Sequence, residues 1–287
     1  MKIAIIGASG QLGYDISNAF SKNSIPLSHE DIEIKNSKNC MDVFRLAKCD
    51  VIINCAAYTR VDDSEDFPEE SFAINTIGAK NIALVCDELN ITNVFISTDY
   101  VFNGEKNIPY TEEDRPNPVN IYGLSKYAGE VVTKNYCSKY YIIRLASIYG
   151  SRGGSGKGGN FVKWMIEKAK SGEPLNVVDD LVMSPTYTVD AAETIKSIIK
   201  RGLPYGVYHV TNQGHCSWFE FSKEIFKILD TNSKVIPIKS QELNRKAKRP
   251  KFSALQSTKL NRFGIEMRYW DDALRDYLIN HESKLNP

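Results

Sequence analysis

The stretch Lys2-Ile-Ala-Ile-Ile6, followed at once by Gly7-Ala-Ser-Gly10-Gln-Leu-Gly13, decides the fold class. An unbroken apolar run is typical of a parallel strand that is buried on both faces. Strand, glycine turn and helix in this order are typical of a dinucleotide-binding motif. There Gly7 permits the tight turn, Gly10 lets the backbone approach a pyrophosphate and Gly13 lets the helix pack on the strand. An ordinary glycine turn is the alternative.

Further apolar runs alternate with helical patterns along the first part of the chain. The predicted strands after the first are 25–28, 50–57, 93–98 and 140–145. This alternation predicts an α/β fold, a Rossmann-type doubly wound parallel sheet with a smaller C-terminal substrate-binding domain. We assign 1–150 to an NAD(P)-binding domain, with returning elements from about 175–210, and 151–287 mainly to the substrate-binding domain, partly interleaved with the first.

Composition excludes several classes of protein. The 287 residues carry a formal net charge of +1, so no overall field attracts nucleic acid or an anionic membrane. No apolar run reaches the ~20 residues that span a bilayer, and the N-terminus does not read as a signal peptide. The six cysteines form no CxxC pair and are interpreted as reduced, buried thiols. A cytoplasmic location is therefore predicted.

Tyr122-Gly-Leu-Ser-Lys126 is the strongest candidate for catalytic chemistry. The segment reads as helix, and residues four apart share one helix face. A phenol and an ammonium would therefore lie side by side, and the cation is expected to lower the phenol pKa. Such a phenol is a usable proton donor. An amphipathic helix with a half-buried tyrosine and a solvated lysine is the alternative.

Strand ends supply the other candidates. Thr98 follows the fourth strand, where a hydroxyl can donate a hydrogen bond into a site; a polar turn is the alternative. Ser28 and His29 end the second strand, where NAD-selective sites often carry a carboxylate. A neutral Ser and a His favour NADPH, with NADH also open because acids follow directly. The glycine-rich segment 150–159 is predicted to be a mobile lid.

With these motifs in hand, the sequence resembles the dTDP-4-dehydrorhamnose reductase family of extended short-chain dehydrogenase/reductases. The resemblance covers nearly the whole chain in order. It is carried by these stretches: Asn54-Cys-Ala-Ala-Tyr-Thr59, Val61-Asp62 with Glu65, Ser97-Thr-Asp-Tyr-Val-Phe102, Tyr122-Gly-Leu-Ser-Lys126, Gly159-Asn-Phe161, Ser184-Pro-Thr186, Ser217-Trp218, Arg249-Pro-Lys-Phe-Ser253 and Lys259-Leu260.

The resemblance implies a role for each matching residue. The implied catalytic set is Thr98, Tyr122 and Lys126. The implied cofactor-binding residues are Gly7, Gly10, Gln11, Leu12, Gly13, Ser28, His29, Glu33, Ile34, Ala56, Ala57 and Tyr58, with Tyr122 and Lys126. The implied substrate-binding residues are Asp99, Tyr100, Asn160 and Arg249. The Arg249 guanidinium matches the geometry of a nucleotide diphosphate, although a surface charge is the alternative.

Three departures from the family pattern concern positions that are expected to contact the substrate. Ser147 stands where relatives typically carry a Trp, and Leu181 and Met183 replace a Gln and a Gly. The segment 151–158 is longer and richer in glycine. We therefore expect an NADPH-dependent reductase (NADH open) of a nucleotide-sugar ketone, most simply dTDP-linked. A GDP- or UDP-linked substrate, or a non-catalytic regulatory subunit that binds the dinucleotide, are the alternatives. A homodimer is compatible with the family, and no metal site is predicted.

Overall fold

A computed structural model of the chain describes residues 1–153, 159–171, 174–231 and 233–282. Its strands are β1 (Ile3–Ile6), β2 (Ser24–Leu27), β3 (Val51–Asn54), β4 (Thr92–Thr98), β5 (Tyr140–Leu145), β6 (Ile148–Tyr149), β7 (Leu175–Val178), β8 (Val182–Met183), β9 (Thr186–Tyr187), β10 (Gly206–His209), β11 (Cys216–Ser217) and β12 (Val235–Ile238). Six of them form a parallel sheet in the order β10-β5-β4-β3-β1-β2.

The helices connect these strands. They are α1 (Gln11–Phe20), α2 (Ser37–Ala47), α3 (Asp63–Asp66), α4 (Pro68–Phe72), α5 (Ala79–Glu88), α6 (Ile121–Tyr136), α7 (Phe161–Ser171), α8 (Thr188–Lys200), α9 (Trp218–Ile228), α10 (Thr258–Arg262) and α11 (Trp270–Glu282). Short 3-10 turns cover Ser21–Asn23, Asp99–Val101 and Ser240–Leu243.

The central strand β1 is buried on both faces, as its apolar run predicts. Ile3 and Ile5 pack with α1 and α8 on one side of the sheet. Ala4 and Ile6 pack with α2 and α5 on the other side. Helices on both faces of a parallel sheet make a Rossmann-type doubly wound fold, so the predicted fold class is confirmed.

The strand order reverses at β1, because β2 lies on one side of it and β3 on the other. Ligands of such sheets bind beyond the carboxyl ends of the strands at this switch point. Gly7 follows β1 and Cys55 follows β3, so both stretches that were predicted to meet a dinucleotide lie at this position.

The helical stretch between β3 and β4 contains a π-helical segment. α4 and α5 are joined through Ala73–Gly78, which has π-helical hydrogen bonding. Asn75 lies within this segment and is buried. Its side-chain amide makes two hydrogen bonds with the backbone of Tyr58. The Tyr58 N–H donates to Asn75 Oδ1 at 2.9 Å, and Asn75 Nδ2 donates to the Tyr58 carbonyl at 3.1 Å. The π-helical segment thus contains Asn75, whose side chain points at the loop after β3.

A second hydrophobic core lies beside the sheet and is rich in aromatic rings. α7, α9 and α11 enclose Tyr149, Phe221 and Tyr277, among others. β7 pairs with β12 in a separate two-stranded sheet. Among the predicted returning elements, α8 covers the main sheet and β10 extends it. The domain division at residue 150 stays a prediction.

Two further expectations concern the chain as a whole. Within the described ranges, no helix combines the length and apolar character needed to cross a membrane. The predicted lid over 150–159 falls largely on residues 154–158, which lie outside the described residues.

Candidate active site

A cavity of about 690 Å³ opens at the carboxyl ends of the central strands. One end is bounded by the segment after β2, the middle by the glycine turn, and the other end by Thr98, Tyr122 and Lys126. The predicted catalytic set and the predicted dinucleotide turn therefore share one cavity. Most of the residues that sequence reasoning assigned to the cofactor contribute to its wall: Gly7, Gly10, Gln11, Leu12, Gly13, Ser28, His29, Glu33, Ile34, Ala56 and Ala57.

The glycine turn has the geometry that its spacing predicts. Gly7 has a φ of 74°, and a Cβ on it would lie 3.1 Å from the Ala56 nitrogen. A Cβ on Gly13 would lie 2.2 Å from the Gly7 carbonyl oxygen, so α1 packs directly on the turn. Gly10 caps α1 without any side-chain bond to the helix N-terminus. The first amides of α1 are therefore free to bind an anion in the cavity.

The far end of the cavity holds the predicted cofactor-binding residues that follow β2. Ser28 is tied down, because Asp31 accepts bonds from its amide and its hydroxyl at 2.7 Å each. These bonds lower the pKa of Asp31. Lys35, which sequence reasoning missed, lines the same end, and its Nζ lies 3.2 Å from Glu70 Oε1. His29 and Lys35 are thus the cationic candidates for a phosphate at this end.

Ile34 is wedged against the helical Gly78, and this contact gives a prediction. A Cβ on Gly78 would lie 2.6 Å from Ile34 Cδ1. We expect Gly78→Ala to be destabilising, because overpacking costs about 1–3 kcal/mol and outweighs the helix-propensity gain of about 1 kcal/mol. Urea unfolding measures it. In an Ile34→Ala background, which lacks both Cδ1 and Cγ1 and leaves only Cβ at 3.4 Å, the same substitution should become neutral or stabilising; equal destabilisation in both backgrounds would contradict this account.

The loop after β3 passes beside the cavity as predicted. Cys55, Ala56 and Ala57 form part of its wall, whereas Tyr58 does not. Tyr58 is held by Asn75, whose Nδ2 also donates to Ser125 Oγ at 2.9 Å. Asn75 therefore fastens this loop to α6. A polar residue between apolar neighbours in a helix was the available signal for this role.

The predicted catalytic side chains converge from two elements. Thr98 ends β4, and Tyr122 and Lys126 stand one turn apart on α6. Asn120 caps α6 by accepting the Gly123 amide at 2.7 Å. A Cβ on Gly123 would lie 2.1 Å from the Tyr100 carbonyl oxygen, so the start of α6 packs directly against the turn that follows Thr98.

The expectation that Lys126 lowers the pKa of Tyr122 is wrong for this arrangement. Lys126 Nζ donates to the Ile96 carbonyl at 2.6 Å and lies 4.3 Å from the centre of the Phe95 ring. Burial raises the pKa of Tyr122 well above its ordinary value, and a hydrogen bond with Thr98 only partly opposes this. Burial also lowers the pKa of Lys126 to about 8. Desolvation thus outweighs the i, i+4 relationship, because it disfavours the charged form of both groups.

Asp99 and Tyr100, predicted to contact substrate, both border the cavity. The Asp99 carboxylate is buried and accepts bonds from Thr98 Oγ1 at 3.0 Å and Ser253 Oγ at 2.6 Å. Burial raises its pKa to about 6. The Tyr100 ring meets the Tyr122 ring edge-on with centroids 5.8 Å apart. Burial, with the charge of Asp99, raises the pKa of Tyr100 to about 12.

Asn160 joins the second core to the glycine turn. Its Oδ1 accepts the Lys163 amide at 3.0 Å at the start of α7. Its Nδ2 donates to the Gly150 carbonyl at 2.8 Å and to Gln11 Oε1 at 3.2 Å. Gln11 in turn donates to the Ile148 carbonyl at 2.9 Å. The predicted substrate residue Asn160 and the predicted cofactor residue Gln11 therefore form one bonded pair.

Arg249 already has a carboxylate partner. Its guanidinium binds Asp62 through both oxygens, with the Nη2 to Oδ2 distance at 2.6 Å. This pairing lowers the pKa of Asp62 to about 2. Arg249 borders a smaller pocket that adjoins the main cavity beside Tyr100. A diphosphate there would compete with Asp62 for the guanidinium.

The positions that depart from the family pattern come together at this smaller pocket. Ser147, Leu181 and Met183 all line it, together with Trp218. Ser147 adopts a left-handed backbone with a φ of 44°. The Trp218 ring packs edge-on against Phe161 with centroids 4.6 Å apart. Two segments that are distant in sequence, one with Ser147 and the other with Leu181 and Met183, thus shape one wall beside the catalytic set.

Comparison with known proteins agrees with this geometry. The family model described as the RmlD substrate binding domain matches residues 1–283. The spore coat polysaccharide biosynthesis protein SpsK of Bacillus subtilis is 36% identical over 285 residues, which cover 98% of each chain. The dTDP-4-dehydrorhamnose reductase of Sinorhizobium fredii is 33% identical over 288 residues, which cover 96% of each.

The solved structure of a relative supports the same family. The dTDP-4-dehydrorhamnose reductase of Bacillus anthracis in complex with NADP is 39% identical, with a TM-score of 0.92, over 98% of this chain and 100% of that chain. Sequence and fold agree over nearly the full length. The resemblance found in the sequence is therefore confirmed, and the chain belongs to the RmlD substrate binding domain family.

Proposed function

We propose that this chain is an NADPH-dependent reductase of the C4 ketone of a nucleotide-activated 6-deoxyhexose. The substrate that we infer is dTDP-4-dehydro-L-rhamnose and the product is dTDP-L-rhamnose, a precursor of cell-surface polysaccharide. The observation that carries the proposal is that Thr98, Tyr122 and Lys126 border the same cavity as the glycine turn. Relatives named as dTDP-4-dehydrorhamnose reductases support the choice of substrate.

The site fits a dinucleotide. Close backbone contacts at Gly7 and Gly13 leave no room for a side chain, so the turn lies tightly between β3 and α1. Gly10 leaves the first amides of α1 without a side-chain cap, so they can bind a pyrophosphate. The NADP complex of a relative that is 39% identical supports NADPH as the cofactor. We propose that His29 and Lys35, at the far end of the cavity, hold the 2′-phosphate.

The chain's own residues position the ketone and supply the proton. NADPH, when bound, supplies the hydride that forms the new bond to C4. Tyr122 donates its phenolic proton to the carbonyl oxygen as negative charge develops there, and later regains a proton from water. Thr98 lies at the strand end beside Tyr122, where its hydroxyl can donate to the same oxygen. Lys126, which bonds the Ile96 carbonyl in this structure, would hold the nicotinamide ribose when the cofactor is bound.

The choice of sugar depends on the smaller pocket. Ser147 stands where relatives typically carry an aromatic ring, and Leu181 and Met183 place apolar side chains where relatives typically carry a Gln and a Gly, so this wall differs in shape and polarity. A GDP- or UDP-linked 4-keto sugar is therefore the second candidate substrate. It would use the same Thr98, Tyr122 and Lys126 for the same chemistry.

The test is a turnover assay with a substrate panel. Purified protein is mixed with NADPH and the dTDP-, GDP- or UDP-linked 4-keto-6-deoxy sugar, and the absorbance of the reduced nicotinamide is followed. We expect the dTDP-linked sugar to be consumed fastest. Faster consumption of a GDP- or UDP-linked sugar would instead identify that sugar as the substrate. No consumption with any of them, although NADPH raises the Tm, would reject the reductase proposal.

We further propose a cytoplasmic location. All six cysteines are free thiols, as expected of a reducing compartment. The oligomeric state stays a prediction from the family resemblance: light scattering at assay concentration tests for a homodimer.

A further inference from the structure

The hydroxyl of Thr98 lies between the Asp99 carboxylate and the hydroxyl of Tyr122. Oγ1 donates to Asp99 Oδ1 at 3.0 Å and accepts the Tyr100 amide at 3.2 Å. The same hydroxyl is hydrogen-bonded to Tyr122. A hydroxyl has one proton to donate, so Thr98 cannot donate to Asp99 and to a substrate oxygen at the same time.

Asp99 is anchored from a distant part of the chain. Ser253 Oγ donates to Asp99 Oδ2 at 2.6 Å, and the Ser253 side chain is buried. The Ser253 amide donates to the Val182 carbonyl at 2.8 Å, which fixes the donor in place. Both carboxylate oxygens of Asp99 are therefore occupied by hydroxyl groups, so Asp99 is better suited to orient Thr98 than to bind a sugar.

We propose that Asp99, held by Ser253, is a positioning residue that controls which way the Thr98 hydroxyl donates. An ionised Asp99 draws the Thr98 proton away from the cavity. A neutral Asp99 donates its own proton to Thr98 Oγ1 and releases the Thr98 proton toward the carbonyl oxygen of the substrate. The proton that neutralises Asp99 comes from water, the hydrogen bond between Thr98 and Asp99 then reverses its direction, and no redox step is involved. This inference rests on the proposed reductase function and concerns the same site.

Burial makes the neutral form of Asp99 accessible. It raises the pKa of Asp99 to about 6, against the opposing bonds from Ser253 and Thr98. Lys126 bonds the Ile96 carbonyl and Arg249 bonds Asp62, so these two cations are engaged elsewhere. The titratable groups whose charge interacts with Asp99 are Tyr100 on its own turn and Tyr122 on α6. The other charged groups on the elements around it are Lys126, Glu130 and Lys134 on α6, and Arg245, Lys246, Lys248, Arg249 and Lys251 on the late C-terminal segment.

The test is the pH dependence of kcat/KM for the keto sugar at saturating dinucleotide. Because the neutral form of Asp99 is the active one, kcat/KM of the wild type should fall as the pH rises through about 6. NADH replaces NADPH in a parallel series, because it carries no 2′-phosphate that titrates in this range. The phenol of Tyr122 titrates well above this window, and Lys126 titrates near 8.

Two variants separate positioning from a merely structural role. Asp99→Asn can accept from Ser253 and donate to Thr98, so it mimics the neutral acid and should abolish the pH limb near 6 while staying active. Ser253→Ala removes a bond that favours the carboxylate. A hydrogen bond to a charged group contributes about 1.5–3 kcal/mol, so the midpoint should move upward by about one to two pH units.

Ser222→Ala is the matched control, because Ser222 is equally buried and donates to the Trp218 carbonyl at 2.8 Å. It should leave the midpoint unchanged. The inference is overturned if Asp99→Asn keeps the wild-type limb, or is inactive at every pH while still binding NADPH. It is also overturned if Ser253→Ala does not raise the midpoint. A wild type that reduces no keto sugar would instead reject the proposed function, and a ¹³C titration of the Asp99 carboxyl with and without Ser253 then decides the proton linkage.

Discussion

Replacing Tyr122 with phenylalanine should lower kcat by about 10²- to 10⁴-fold, the range typical of losing a positioned general acid. Phenylalanine keeps the ring and the edge-on packing against Tyr100 but removes the proton that the carbonyl oxygen needs. NADPH affinity should change little, because the glycine turn and the far end of the cavity are untouched. Stopped-flow oxidation of NADPH and fluorescence titration of the dinucleotide measure the two quantities.

The matched control is Tyr136→Phe on the same helix. Tyr136 is exposed, at the far end of α6, with Lys80 over its ring. It should retain wild-type kcat. A Tyr122→Phe variant that reduces the keto sugar at the wild-type rate would show that another group supplies the proton, and would favour a regulatory role for the chain.

Arg144→Leu should lower the free energy of unfolding by about 3–5 kcal/mol, because it leaves a buried carboxylate without its partner. Arg144 on β5 binds Glu130 on α6 through both oxygens, at 2.8 and 2.7 Å, and both side chains are at most 2% exposed. Ser97 donates to the same carboxylate at 2.6 Å. This cluster fixes α6, which carries Tyr122 and Lys126, against β4 and β5.

Two comparisons make the measurement decisive. Arg45→Leu breaks an exposed pair with Glu88 and should cost no more than about 1 kcal/mol. Arg144→Leu combined with Glu130→Met removes both charges and should recover much of the loss. Guanidinium chloride unfolding monitors all three variants. An Arg144→Leu loss no greater than that of Arg45→Leu would show that the cluster does not stabilise the fold.

The features that the sequence predicts well are those with short-range patterns. β1 has an apolar run because both of its faces are covered, and the glycines that follow have the spacing that the turn and α1 require. The i, i+4 spacing of Tyr122 and Lys126 correctly predicts that both border one cavity. The spacing does not predict which groups the Lys126 ammonium contacts, because the Ile96 carbonyl and the Phe95 ring lie on β4.

Pairings between distant segments escape sequence reasoning altogether. Arg249 reads as a free guanidinium for a diphosphate, but the fold brings Asp62 to it across 187 positions. Ser253 reads only as part of a family motif, and its bond to Asp99 spans 154 positions. Such contacts depend on how the late C-terminal segment packs against the loops that follow β3 and β4, and no local periodicity encodes that packing.

The order of strands in the central sheet has a consequence for biosynthesis. β1 leaves the ribosome first, yet the side of the sheet that holds Ile3 and Ile5 is closed by α8, near residue 200. The edge strand β10 follows later still. An apolar surface of the nascent chain therefore stays open to water until most of the polypeptide has been translated, and during that interval the growing chain is exposed to aggregation and is a natural client for chaperones.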